Sequence, residues 1–260
     1  MLRRQYACPG PNYIWHIDGY DKLKPFGFAI HGAIDGYSRR ILWLEVGPSN
    51  NNPSVIAKYF LDTIQQLGGC PMTCRCDLGN ENAQLEEIQI LLHSVNDTNY
   101  ADCFLYGKST SNQRIESWWS ILRRQTADWW IKFFKDLRDA YLFKDSDPLH
   151  VDCLRYCFMN VLQDELHKVV VQWNQHRMQA KKNCENPRGK PDILFFTPAS
   201  YNARDFKVTC EEDDILFCQE HYGEERPLYG CSESFIELAN LILPHHLRPN
   251  NVDEASDLWF

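Results

Sequence analysis

The chain has 260 residues, of which 44% are hydrophobic and 13% aromatic. This composition is typical of one large folded domain, or of one domain with an appendage, and excludes an intrinsically disordered chain. The formal net charge of −8 argues against a simple basic DNA-binding domain.

The first part of the chain reads as an antiparallel meander. Tyr13–Gly19, Phe26–Ile34 and Arg40–Val46 are predicted strands, rich in apolar residues and separated by turn residues. Asp35-Gly36, between the second and the third, is a strong hairpin signal. Residues 1–12, which include Cys8-Pro9-Gly10-Pro11, have the composition of a linker.

Helices and strands then alternate. Ser54–Leu67 and Asn82–Val95 repeat apolar residues with the period of an α-helix. Pro71–Asp77 and Asp102–Tyr106 are short predicted strands. Because a strand, a helix and a strand in succession favour a parallel crossover, the predicted fold is α/β. We expect a mixed five-stranded sheet of order 3-2-1-4-5 with helices on both faces.

The pattern beyond the fifth strand is mainly helical. Thr110 precedes Gln113 by three residues, the spacing of a helix capping box. The aromatic-rich stretch that follows predicts one long helix, or two helices with a bend. Val151–His176 is a further predicted helix, and a short element begins at Thr197.

The acidic residues are concentrated at the C-terminal end. From Asp205 onward the chain has 13 acidic and 3 basic residues, a net charge of −10, whereas residues 1–204 have 22 acidic and 24 basic residues. The segment has no clear helical or strand period. We therefore expect a folded domain over residues 13–202 and an acidic, partly ordered tail over residues 203–260.

Eleven cysteines are a high count for a chain of this length. The N-terminus lacks the apolar stretch of a signal peptide, so we interpret the cysteines as reduced core thiols. Cys74 and Cys76 are separated by one residue, not the roughly two to four of a zinc knuckle. We predict no zinc site and no structural disulfide. No run of 18 apolar residues occurs, so no membrane span is expected.

Three acidic residues lie where the predicted fold would bring them together. Asp18 is on the central first strand, Asp77 ends the fourth strand beside it, and Glu116 lies in the first turn of the capped helix. Any one of them alone is more often an N-cap, a salt-bridge partner or a solvated residue. A convergent group of carboxylates, however, is the ligand set of two-metal phosphoryl transfer, since hard oxygen ligands suit Mg²⁺ or Mn²⁺.

Several motifs in order resemble those of a known family. They are Trp15-His16-Ile17-Asp18, Ile34-Asp35-Gly36-Tyr37-Ser38-Arg39, the run Asp77–Asn82, the run Asn112–Trp119, and Trp173–Arg177 followed by Thr197–Tyr201. Over roughly residues 12–202 the chain resembles the catalytic core of retroviral-integrase-type recombinases, the DDE superfamily with a ribonuclease-H-like fold. It looks closest to the integrase-like proteins of eukaryotic DNA transposons and their host-resident copies.

The resemblance implies a DDE-type polynucleotidyl transferase that cuts and joins DNA strands with two Mg²⁺ or Mn²⁺ ions. It implies that Asp18, Asp77 and Glu116 are the catalytic residues and metal ligands, that DNA is the partner, and that the protein is a nuclear homo-oligomer. Asp35 belongs to the hairpin motif and is expected to be structural. Residues 13–202 would then be the integrase core with a helical extension.

The sequence also departs from the family pattern. Between Asp77 and Glu116 lie 38 residues, slightly more than in the retroviral class, which predicts a loop insertion near Asn96–Asp102. Asn82 stands where many relatives have phenylalanine. The core motifs begin by residue 15 and no DNA-end-binding module is visible before them, as expected for a fragment, a short gene model or a host-resident copy that has lost its targeting parts. The alternative function is therefore a domesticated module that binds DNA or protein without transposing.

Four basic residues are candidate DNA contacts along the Glu116 helix. They are Lys108, Arg114, Arg123 and Arg124. Their side chains would bind phosphates, although a solvated helix face explains them equally well. Trp118 and Trp119 are expected in the core or in a dimer interface, not as platforms for stacked bases.

Overall fold

The computed structural model describes residues 7–96, 101–107, 112–179, 187–243 and 249–260. The strands are β1 (Trp15–Tyr20), β2 (Ala29–Asp35), β3 (Ile41–Gly47), β4 (Gly69–Cys70), β5 (Cys74–Asp77), β6 (Phe104–Gly107) and β7 (Val208–Thr209). The helices are α1 (Pro53–Leu67), α2 (Ala83–Val95), α3 (Gln113–Leu122), α4 (Asp128–Asp139), α5 (Pro148–Gln175), α6 (Pro191–Phe196), α7 (Glu212–His221), α8 (Glu233–Ile242) and α9 (Val252–Trp259).

The main sheet has five strands in the order β3-β2-β1-β5-β6. β1 pairs antiparallel with β2 and parallel with β5, and β5 pairs parallel with β6. The predicted fourth and fifth strands correspond to β5 and β6, so the predicted α/β sheet and its strand order are confirmed. Among the described residues, β4 pairs with β7 in a separate two-stranded sheet.

Two strands begin later than predicted. β1 begins at Trp15 and β2 at Ala29. Phe26, where the second strand was predicted to begin, is instead the last residue of a 3₁₀ turn over Lys24–Phe26, which Gly27 ends with φ of +89°. A residue without Cβ adopts that left-handed conformation at little cost, so the turn stops there and the strand follows it.

Helices cover both faces of the sheet. On one face α1 and α2 enclose a cluster that includes Trp15, Ile17, Phe60 and Ile88. On the other face α3, α4 and α5 enclose the second cluster. Successive residues of a strand point to opposite faces, so β1 contributes Trp15 and Ile17 to the first cluster while His16 and Asp18 face α3.

The predicted long aromatic-rich helix is two helices. A π-helical turn over Arg123–Ala127 joins α3 to α4. Asn112 is the N-cap residue of α3, and Thr110 of the predicted capping box lies outside the described residues. α5 begins at Pro148, where the Asp147 side chain accepts a hydrogen bond from the backbone N–H of Leu149.

The described residues of the acidic segment form three helices, α7, α8 and α9, that sequence periodicity did not predict. Ile215 and Cys218 of α7 belong to the first cluster, beneath α1 and α2. Ala255 of α9 belongs to the second cluster, beneath α3, α4 and α5. At the start of the segment, Asp205 Oδ1 accepts a hydrogen bond from Asn12 Nδ2 at 2.8 Å. The segment therefore contacts the cores on both faces of the sheet, while the boundary at residue 203 stays a prediction.

Asp35 organises the hairpin between β2 and β3. The fully buried carboxylate accepts hydrogen bonds from the backbone N–H groups of Asn12, Tyr37 and Ser38 and from the Ser38 hydroxyl, at 2.7–3.1 Å. Burial raises the pKa of Asp35 to about 6, and these hydrogen bonds oppose the shift. Its oxygens are occupied within the fold, in keeping with the structural role expected for it.

All described cysteines except Cys8 and Cys153 are buried, as expected for core thiols. Cys184 lies outside the described residues. The predictions that no cysteine binds zinc or forms a disulfide stay predictions. Within the described ranges, no helix combines the length and the hydrophobicity that a membrane crossing requires.

Candidate active site

The register of two parallel strands places Asp18 beside Asp77. In the β1–β5 ladder His16 pairs with Arg75. If that register is continued two residues further along each strand, it brings Asp18 opposite Asp77, and paired strands lie about 4.8 Å apart. Side chains alternate between the faces of a sheet, so both carboxylates project from the face that α3 covers.

Asn112 attaches the start of α3 to β1. Its Nδ2 donates to the carbonyl oxygen of Ile17 at 2.9 Å, and its Oδ1 lies 2.7 Å from His16 Nδ1. Since Oδ1 can only accept, His16 carries its proton on Nδ1. Burial lowers the pKa of His16 to about 3, so the ring is neutral. Glu116 donates its backbone N–H to Asn112, one helical turn beyond this anchor.

Trp119 holds the Asp18 carboxylate in place. The indole Nε1 donates to Asp18 Oδ2 at 2.8 Å, and the ring is 5% exposed. The residue of β2 that pairs with Asp18 is Gly32. A Cβ atom on Gly32 would lie 3.0 Å from the Trp119 indole ring, so the glycine leaves room for the ring. Sequence reasoning predicted burial of Trp119 but missed this hydrogen bond. The available signal was its position three residues after Glu116, on the same face of the helix.

The Asp18 carboxyl binds its proton unusually tightly. Its pKa is raised to about 7, mainly by burial; the hydrogen bond from Trp119 opposes the shift, and the charges of Glu116 and Asp77 add to it. The three predicted ligands are therefore close enough to influence one another electrostatically.

Asp77 and Glu116 show the same direction of shift. Burial raises the pKa of Asp77, and the charge of Glu81 adds to the effect. Burial also raises the pKa of Glu116. The charge of Asp77 adds to this shift, and the positive charge of Lys22 opposes it. Glu81 and Lys22 are thus two further charged groups of this region that sequence reasoning did not single out.

A cavity of about 130 Å³ lies at the carboxyl ends of β1 and β5. It is lined by Ile17, Asp18, Gly19, Asp21, His31, Asn50, Asn51, Asp77, Glu81 and Asn82. Asp77 Oδ1 is buried and receives no hydrogen bond from the described residues. Glu116 does not line the cavity and its side chain is exposed. The structure therefore brings Asp18 and Asp77 into one cavity and leaves Glu116 outside its lining.

The carboxylates are neighbours but do not form a closed ligand set. In the part of the chain that the structure describes, no group of three or more His, Cys, Asp or Glu residues could hold a metal ion as placed. Like charges repel when no cation lies between them. The donor chemistry nevertheless fits Mg²⁺ or Mn²⁺, because carboxylate oxygens are hard ligands and no described residue donates a hydrogen bond to Asp77 Oδ1.

The candidate DNA contacts lie in different surroundings. Arg123 and Arg124 are exposed in the turn after α3, and Arg123 Nε forms an ion pair with Asp128 Oδ1 at 2.9 Å. Arg114 is partly buried and lowers the pKa of the buried His16. Lys108 lies outside the described residues.

Comparison with protein families matches the integrase core domain to residues 5–196, more than half of the chain. The chain belongs to the integrase core family. The match ends at Phe196, the last residue of α6, and confirms the resemblance that the motifs indicated. Integrase core domains are of the polynucleotidyl transferase type and generally use divalent metal ions. No curated protein matches the chain.

Replacing Asp18 of this integrase core by asparagine is expected to stabilise the metal-free protein at pH 8. The pKa of Asp18 is about 7 in the folded state, against 3.8 for the ordinary group. The folded state therefore loses stability as the pH rises from 3.8 to 7, and the uncharged amide avoids that loss. We expect a gain of about 1–3 kcal/mol at pH 8 and little at pH 4.

Urea unfolding in the presence of EDTA measures this gain at the two pH values. Asp136→Asn, which removes an exposed carboxylate of α4, is the matched control and should change little at either pH. An Asp18→Asn effect of equal size at pH 4 and pH 8 would contradict the electrostatic explanation.

Proposed function

We propose that this chain is a metal-dependent enzyme that cuts and joins DNA strands, with Asp18, Asp77 and Glu116 as its catalytic residues. The observation that carries the proposal is the parallel pairing of β1 with β5, since its register, continued to the ends of the two strands, supports a position of Asp18 beside Asp77 on the face that α3 covers. The influence of Glu116 and Asp77 on the pKa of Asp18 supports the same grouping.

The three carboxylates would hold two Mg²⁺ or Mn²⁺ ions. When bound, such ions activate the attacking hydroxyl group and stabilise the leaving oxygen. Trp119 restricts the orientation of the Asp18 carboxylate by its hydrogen bond. Asn112 fixes the start of α3 on β1 and so limits where Glu116 can lie.

DNA would approach along α3 and the turn that follows it. The exposed Arg123 and Arg124 side chains offer positive charge to phosphates, and Lys22 adds positive charge next to Glu116. Arg114 and Lys108 remain proposed contacts. By the same family resemblance we propose that the protein acts as a homo-oligomer in the nucleus.

The test is strand cutting and joining by the purified chain on a labelled DNA duplex. We expect nicked or joined products with Mn²⁺ or Mg²⁺ and none with EDTA, with Glu116→Gln as the control for contaminating nucleases. If the protein binds DNA in Ca²⁺ but forms no product with Mn²⁺ or Mg²⁺, the non-transposing binding module replaces the enzyme as the better interpretation.

A further inference from the structure

Asn50, between β3 and α1, is an uncharged residue of the acidic cavity. It is 6% exposed and lines the cavity together with Asp18 and Asp77. Its Nδ2 donates to Asp21 Oδ1 at 2.7 Å and to the backbone oxygen of Ile30 at 3.4 Å. A carboxylate and a backbone carbonyl both accept hydrogen bonds, so the atom that faces them must be the amide nitrogen.

The other end of this amide is unsatisfied. Asn50 Oδ1 is buried and receives no hydrogen bond from the residues that the structure describes, and the same holds for Asp77 Oδ1. Two buried oxygens without donors are costly. Both belong to residues that line one cavity with several carboxylates. A cation, with the water it carries, satisfies such oxygens.

Gly19 makes room for this arrangement. A Cβ atom at Gly19 would lie 2.4 Å from Asn50 Nδ2. The glycine directly after Asp18 therefore lets the Asn50 amide lie against β1. Asp21, the residue directly after β1, then fixes the orientation of the amide because its carboxylate accepts the hydrogen bond from Asn50 Nδ2.

We propose that Asn50 is a further metal-binding residue, whose amide oxygen supplies a neutral ligand to a divalent cation held by Asp18 and Asp77. The inference rests on the proposed function, since it concerns the same cation. Asn50 adds an oxygen without adding negative charge, so it strengthens cation binding without increasing the repulsion among the carboxylates or toward DNA.

The test measures Mn²⁺ binding by electron paramagnetic resonance and the rise in melting temperature that Mn²⁺ or Mg²⁺ produces. In Asn50→Leu the Kd for Mn²⁺ should rise about tenfold, which corresponds to about 1.4 kcal/mol, and the metal-induced rise in melting temperature should shrink. Asn50→Asp, which restores an oxygen, should bind Mn²⁺ more tightly than Asn50→Leu. Gly19→Ala should weaken binding in the same direction, because it displaces the unchanged Asn50 side chain.

Asn174→Ala is the matched control. Asn174 is also buried, at 5% exposure, but both ends of its amide are bonded to the backbone of Ile41 in β3. This variant should lose stability without metal and keep the wild-type Kd for Mn²⁺. If Asn50 had only a structural role, Asn50→Leu would likewise lose stability without metal and keep the wild-type Kd for Mn²⁺.

The outcomes separate the inference from the proposed function. If wild type and Asn50→Leu bind Mn²⁺ equally well, the inference is wrong and the proposed function stands. If the wild-type chain binds no Mn²⁺, both are wrong. Weaker binding in both Asn50→Leu and Gly19→Ala, with unchanged binding in Asn174→Ala, supports the inference.

Discussion

Asp77→Asn is expected to lower the rate of DNA cutting and joining at least about a thousandfold, equivalent to about 4 kcal/mol of transition-state stabilisation. Asp77 lies opposite Asp18 in the continued β1–β5 register, and its Oδ1 is buried without a donor from the described residues. The amide removes one negative charge from the proposed metal site. It also turns one oxygen into a donor that repels a cation.

The substitution should leave the fold and the affinity for DNA nearly unchanged. Asp77 Oδ1 accepts no hydrogen bond from the described residues, and the proposed phosphate contacts at Arg123 and Arg124 lie on another element. Rates are measured on a labelled duplex with Mn²⁺, and affinity is measured in Ca²⁺. Asp136→Asn, on the exposed face of α4, is the control. An Asp77→Asn rate within tenfold of wild type would remove Asp77 from the catalytic group.

Deleting residues 205–260 is expected to destroy the fold of the core. The deletion removes several apolar side chains from both core clusters. From the cluster beneath α1 and α2 it removes Val208, Cys210, Ile215, Cys218 and the partly buried Tyr222, and from the cluster beneath α3, α4 and α5 it removes Ala255 and the partly buried Val252, Leu258 and Trp259. It also removes β7, the pairing partner of β4. Each large buried apolar side chain contributes roughly 1.5–3 kcal/mol, so the total loss approaches the roughly 5–15 kcal/mol that stabilise a whole domain.

Thermal unfolding followed by circular dichroism measures this loss. Ile215→Ala is the graded control, with an expected cost of about 2–5 kcal/mol. A truncated chain that unfolds cooperatively within about 4 °C of the full chain would show that the acidic segment is a separable tail.

The effect of the acidic segment on DNA binding therefore requires charge substitutions instead of deletion. α7 packs against α1, on the face of the sheet opposite α3. Charges farther from DNA than about 8 Å are largely screened at 0.15 M salt. Neutralising the acidic first turn of α7 (Glu212, Asp213 and Asp214) should thus leave the affinity for DNA almost unchanged at that salt concentration.

Much of the fold followed from local patterns in the sequence. Alternating apolar residues predicted β1 to β3, and helical periods predicted α1 and α2, because each of these elements buries one face against a core. The alternation of strand and helix was enough to place Asp77 beside Asp18, since a parallel crossover returns the chain to the neighbouring position of the sheet. The expectation that Glu116 lies near these two residues came from its place in the first turn of α3.

Only the tertiary structure decided which groups surround these carboxylates. The hydrogen bond from Trp119 to Asp18 and the open amide oxygen of Asn50 join segments far apart in the chain. The helices of the acidic segment also escaped prediction, since they bury small or isolated apolar positions, such as Ala255, against a surface that the rest of the fold supplies. A local period reports which face of an element is apolar, but packing determines what that face and its polar neighbours touch.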